Sequence, residues 1–105
     1  MTATADLVAL TEAVAVQLTD SGVPARCDVV EGDPYVRLDL SYDGTATAWV
    51  PLGDPTWAIV RDRPGVPCRI EPSAPLTTDW EACDQVDCLA VALWEWVLKR
   101  RSATW

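Results

Sequence analysis

The stretch YVRLDLSYDGTATAWVPL, residues 35–52, decides the architecture. From Tyr35 to Ser41 the residues alternate: Val36, Leu38 and Leu40 take one side, and Tyr35, Arg37, Asp39 and Ser41 the other. That period of two belongs to a β-strand with one buried face. After Asp43-Gly44 a second alternating run, Thr45 to Leu52, places Ala46, Ala48, Val50 and Leu52 together. Two such runs joined by Asp-Gly predict a hairpin. A two-residue loop would set Leu40 against Thr47 and Leu38 against Trp49, mixing core and solvent residues on one face. A three-residue loop, Tyr42-Asp43-Gly44 with Gly44 left-handed, pairs Leu40 with Ala46, Leu38 with Ala48 and Val36 with Val50, and sets Arg37 opposite Trp49. The longer loop is therefore expected.

On the N-terminal side, Leu7, Leu10, Val14 and Leu18 recur at helical spacing between Asp6 and Thr19, which predicts an amphipathic helix. Gly22 is the expected left-handed cap and Pro24 the stop. Arg26 to Glu31 reads as a strand turned by Gly32-Asp33-Pro34, and Trp57–Val60 and Val66–Ile70 as strands flanking Pro64-Gly65. Pro67 cannot donate to a ladder, so the last strand belongs at a sheet edge. Beyond the connector from Glu71 to Thr78, the run Thr78-Asp79-Trp80-Glu81 forms a capping box for a second helix ending near Arg101. Lys99, Arg100 and Arg101 complement its carboxyl end. The expected fold is α+β in a single domain, residues 1–105: an N-terminal helix, an antiparallel meander of four or five strands and a C-terminal helix, both helices on one face of the sheet.

The four cysteines invite a metal or disulfide reading, most of all in CDQVDC, residues 83–88. On one continuous helix Cys83 lies beside Ala90, Trp94 and Val97, and Cys88 beside Glu81, Glu95 and Lys99. Their Cα atoms are then roughly 9 Å apart, beyond the ~7 Å reach of a disulfide. Cys27, Cys68 and Cys83 are accordingly expected as small core residues, and Cys88 as a partly exposed thiol. A Cys27–Cys68 disulfide is open to the geometry only if their strands are neighbours. With no CxxC knuckle and no histidine, zinc is not expected. No cofactor is expected.

Sixteen acidic against eight basic residues give a net charge of -8, which opposes direct binding to nucleic acid or anionic lipid and favours a basic partner. The longest apolar run, Cys88 to Trp94, is too short to span a bilayer. The first ten residues lack a basic n-region, so the expected location is cytoplasmic. The bias towards Ala, Val, Asp, Arg, Pro and Trp, with a single Lys and no Phe, Asn or His, resembles GC-rich coding. No histidine, nucleophile elbow, phosphate-cradling glycine loop or HExxH motif is present, so catalysis is not expected.

The leading functional expectation is a small acidic protein-binding module without catalytic activity: an inhibitor, immunity or accessory protein of a GC-rich bacterium or its phage. Its candidate surface is Tyr35, Arg37, Asp39 and Trp49 on the outer sheet face, an aromatic and charged mixture typical of binding hot spots. A plain cross-strand stack of Arg37 on Trp49 would account for the same residues. In one sub-case Asp28, Glu31, Asp33, Asp39, Asp43 and Asp54 mimic nucleic acid in the groove of a basic nucleic-acid-binding protein. In a second class the chain self-associates as a homodimer through its C-terminal helix, where Trp96 is expected to project away from a core containing Trp80 and Trp94. The third class is a carboxylate enzyme or metal protein.

Overall fold

The computed structural model describes residues 3–53, 57–72 and 86–103. In chain order these form α1 (Ala3–Asp20), β1 (Ala25–Val30), β2 (Asp33–Asp39), β3 (Thr47–Pro51), β4 (Trp57–Arg61), β5 (Arg69–Pro72) and α2 (Val86–Ala103). The strands make one antiparallel meander in the order β1-β2-β3-β4-β5. The α+β architecture is that expected, with the helices on one face of the sheet.

The β2–β3 register is the one that the three-residue loop requires. Val36 pairs with Val50, Arg37 with Trp49 and Leu38 with Ala48, and the Leu40 amide donates to the Ala46 carbonyl at 2.8 Å. Gly44 takes a φ of 75°, in the left-handed region open to glycine. Val36, Leu38, Leu40, Ala48, Val50, Leu52, Ala58 and Val60 consequently share the inner face and are buried. Val14 and Leu18 of α1 and Leu89, Leu93 and Val97 of α2 complete the same core.

α1 ends as its glycine predicts, in a Schellman motif. The Val23 amide donates back to the Leu18 carbonyl at 2.9 Å and the Gly22 amide to that of Thr19 at 3.1 Å, with Gly22 at a φ of 98°. Leu18 and Val23, the apolar pair that accompanies such a cap, are both buried. The turn after β1 is tighter than Gly32-Asp33-Pro34. Val30 pairs directly with Asp33, and Glu31 and Gly32 both have positive φ, as a two-residue type I′ turn demands. Pro34 instead lies within β2, opposite Val29. β5 is indeed an edge strand, but it runs over Arg69–Pro72, leaving Pro67 in the irregular segment before it.

The C-terminal helix departs further from expectation. Trp96 is 4% exposed and belongs to the core, whereas Trp94 is 36% exposed. The two project about 160° apart, so only one can face the sheet. The buried stripe is Leu89, Ala90, Leu93, Trp96 and Val97, and Trp94 lies off it. Arg101 is not a solvated helix-end charge: it is buried, with Nε donating to the Leu40 carbonyl (3.2 Å), Nη2 to that of Asp39 (3.3 Å), and its guanidinium 4.4 Å from the Tyr42 ring centroid. Arg100 pairs with Glu71 of β5. These two arginines fasten the end of α2 to the sheet.

Cys88 is disulfide-bonded, which corrects its expectation as a thiol. The helical separation argument requires one unbroken helix through both cysteines of CDQVDC, and α2 is described from Val86 onward. Cys27 and Cys68 are free. They lie in β1 and just before β5, at opposite edges of the sheet, so they cannot pair. Cys68 is exposed and Cys27 half-buried rather than core. The capping box, Trp80, Cys83 and Asp54 lie outside the described residues. Among those described, no helix is long and apolar enough to cross a membrane.

The placement of the two tryptophans is measurable. Trp96→Ala should lower the unfolding free energy by about 3–5 kcal/mol, and Trp94→Ala by distinctly less; equal losses in chemical denaturation would contradict the burial of Trp96.

Candidate protein-binding face

Strand parity sorts the remaining side chains onto the outer face, the one away from the helices. β1 contributes Arg26 and Asp28, β2 contributes Tyr35, Arg37 and Asp39, and β3 contributes Trp49. β4 adds Trp57, Ile59 and Arg61, and β5 adds Ile70. Because the meander brings neighbours in sequence side by side, these residues form one continuous surface across the sheet.

Trp49 is its centre. The indole Nε1 donates to the Asp28 carboxylate at 3.0 Å, across the width of β2. The guanidinium carbons of Arg37 and Arg61 lie 5.7 and 5.5 Å from the ring centroid, within range of a cation–π attraction. Arg37 reaches the ring from directly opposite on β2, and Arg61 from the position on β4 opposite Thr47. Arg61 Nε is buried without a hydrogen-bond partner among the described residues. Beside this cluster Tyr35 and Trp57 meet edge to face, their ring centroids 6.2 Å apart, a geometry aromatic quadrupoles favour. Tyr35, Arg37, Trp49, Trp57, Ile59 and Arg61 are each half-buried, and Ile70 is 71% exposed. Such a face offers flat aromatic area, fixed cations and a few carboxylates.

The expected site residues are thus only partly assembled together. Tyr35, Arg37, Asp39 and Trp49 share the outer face, and Asp28 joins them through its bond to Trp49. Glu31 and Asp33 lie at the β1–β2 turn, the end of β2 remote from Asp43. Trp96 is in the core and unavailable to a partner. Trp57, Arg61 and Ile70 were not among the expected residues. The alternation of Trp57, Ile59 and Arg61 with Ala58 and Val60 carries the signal, but only a fixed register tells which parity faces outward.

Asp43 is committed to its own loop. Its Oδ1 accepts the Ser41 and Thr45 hydroxyls, each at 2.7 Å, and the Thr45 amide at 3.1 Å. Those bonds, the hydroxyls first, lower its pKa to about 2. On the inner side of β1, Cys27 has its pKa raised by partial burial, then by the nearby charges of Glu12 and Asp28. Among the described residues no three cysteine or carboxylate groups converge as a metal site.

Comparisons with protein-family models, with curated proteins and with solved structures find no match. The fold and this face are therefore the basis for a functional reading.

Two titrations test the local chemistry. Because the Asp43 pKa is depressed on folding, its stabilising contribution is complete above the ordinary carboxylate range and is lost as pH falls through about 2. Its carboxyl carbon signal in an NMR titration should have its midpoint there, and a midpoint near 4 would contradict the loop geometry. Towards iodoacetamide at neutral pH, Cys68 should react faster than Cys27, whose raised pKa leaves less thiolate; peptide mapping showing the reverse order would place Cys27 in a different environment.

Proposed function

We propose that this chain is a small acidic protein-binding module without a catalytic role, acting as an inhibitor, immunity or accessory protein and engaging its partner through the outer sheet face. The observation that carries the reading is the aromatic and arginine cluster around Trp49 on a face neither helix covers. Tryptophan, tyrosine and arginine dominate hot spots because they combine large apolar area with directed polar groups at small entropic cost. A stack that served stability alone would account for Arg37 and Trp49, but not for Ile70, exposed on β5 beyond Ile59.

The net charge of -8 favours a partner with a basic surface and speeds their encounter. Nucleic-acid mimicry draws less support, since Asp28 is engaged with Trp49, Asp43 with its loop, and Glu31 and Asp33 lie at the opposite end of β2. Self-association through α2 has, among the described residues, Val91 and Trp94 as exposed large apolar side chains. We place the protein in the cytoplasm; the disulfide at Cys88 weighs against that location, because thiols there are kept reduced.

The test is quantitative capture from cells of the source, with wild-type protein and a Trp49→Ala variant whose folding is verified by circular dichroism. Partner recovery should fall about tenfold or more with Trp49→Ala, the loss expected at a hot spot, and should decline with added salt. Undiminished recovery by the variant would overturn the outer face as the binding surface.

A further inference from the structure

The two edges of the sheet are finished differently. β5 is four residues long, ends in Pro72, and has Arg69 and Glu71 held in a chain of ion pairs running from Asp62 to Arg100. Proline and paired charges blunt an edge against further pairing. β1 has neither device along most of its length.

Its hydrogen-bond parity can be worked out. The Asp39 amide donates to the Pro24 carbonyl at 3.1 Å, so Pro24 and Asp39 form a bonded pair. Bonded and non-bonded pairs alternate along an antiparallel ladder. Hence Arg26·Arg37, Asp28·Tyr35 and Val30·Asp33 are bonded, while Ala25, Cys27 and Val29 turn their N–H and C=O groups to the free edge. Thr19 of α1 reaches Ala25 alone: its Oγ1 accepts the Ala25 amide at 3.1 Å, while its one hydroxyl proton is shared between the Ala15 carbonyl at 2.9 Å and the Ala25 carbonyl at 3.1 Å. Cys27 and Val29 are left, among the described residues, with two donors and two acceptors in register for another strand. The side chains of both point to the helix side, where Cys27 helps to line an open groove of about 450 Å³ between α1 and β1. Ala15 and Val16 supply its apolar wall, and Glu12 and Asp20 its charge. Arg26 also borders the groove, although its place in the ladder puts it on the other face of the sheet, so the two carboxylates outnumber the one cation there.

We propose that the β1 edge is a strand-addition site for an extended segment of a partner protein whose inward-facing positions, every second residue, carry small apolar side chains and lysine or arginine. The segment's backbone bonds to Cys27 and Val29, and its inward side chains enter the α1–β1 groove, where basic groups meet Glu12 and Asp20. Backbone pairing supplies affinity and the groove supplies selectivity. A second copy of this chain is disfavoured in the register that engages both residues, because pairing Cys27 with Val29 across a two-fold axis sets Asp28 opposite the Asp28 of the other copy, and like charges directly opposite destabilise. The site goes beyond the outer-face reading and is independent of Trp49.

Selection of random dodecapeptides by phage display against the whole chain tests it. Enriched peptides should be extended and basic, and in amide hydrogen exchange they should slow Cys27 and Val29, which exchange fast in the free protein while Arg26, Asp28 and Val30 are protected. Val29→Pro removes a donor on the free edge alone, in an edge position that tolerates proline, and should weaken such a peptide about tenfold. Trp49→Ala should leave that binding unchanged while reducing outer-face capture. Glu12→Gln with Asp20→Asn, distant from the ladder, should weaken the basic peptides severalfold. The proposal is overturned by any of three results: failure to enrich basic peptides, equal binding by Val29→Pro, or protection of Cys27 and Val29 in the free protein. Concentration-dependent dimerisation that protects these two amides would give the edge to a second copy and equally overturn it.

Discussion

The register of the β2–β3 hairpin is the constraint on which the remainder of the structure rests. A strand shifted by one residue turns every side chain to the opposite face, so a loop of two rather than three residues would have placed Trp49 in the core and Ala48 outside. Two local features hold the longer loop. Gly44 adopts the left-handed backbone, and the Asp43 carboxylate gathers the Ser41 and Thr45 donors into a closed set of bonds. The Ala46 amide, donating to Ser41 Oγ at 3.0 Å, ties that set to the start of the next strand. Both faces of the sheet follow: Val36, Leu38, Ala48 and Val50 beneath the helices, and Tyr35, Arg37 and Trp49 on the open side.

From this hairpin the structure is extended in opposite directions with unequal finish. At the hairpin α2 secures the sheet through Arg101 on the carbonyls of Asp39 and Leu40, and towards β5 it does so through Arg100 on Glu71. A buried guanidinium that donates to backbone carbonyls satisfies acceptors that would otherwise be costly to bury. Towards β1 the corresponding fastening is a single threonine, Thr19, at one end of the strand. The chain thus presents two different kinds of surface, an aromatic and arginine face and a backbone edge beside a groove that carries Glu12 and Asp20, with Arg26 at their common border.

Legibility of this molecule from sequence varied with the sharpness of its periodicity. Where polar and apolar residues alternate strictly, as from Tyr35 to Leu52, the strand, its faces, the loop length and the Arg37–Trp49 pairing could be read directly. The Gly22 cap was equally plain, because few residues take a φ of 98°. The C-terminal helix was not, since from Leu89 to Leu98 it is apolar around most of its circumference and offers more than one stripe to a core. The choice between Trp94 and Trp96 then depends on which stripe fits the sheet. Tyr35, Arg37, Asp39 and Trp49 of the candidate face could be grouped from one hairpin, whereas Asp28, Trp57 and Arg61 join it only through the registers of β1 and β4.

By itself, the sequence determined the order of elements, the antiparallel meander, the parity of the central hairpin and an acidic charge balance that opposes nucleic acid. These are local or additive properties, set by nearest neighbours in the chain or by simple sums over it. Tertiary structure alone decided that Trp96 is buried and Trp94 is not, that Arg101 serves the backbone of β2, that Cys27 and Cys68 stand at opposite edges, and that ion pairs finish the β5 edge but not the β1 edge. Each of those outcomes depends on contacts between segments distant in sequence, where several arrangements satisfy the same local pattern and the one that buries most while leaving fewest polar groups unmet prevails.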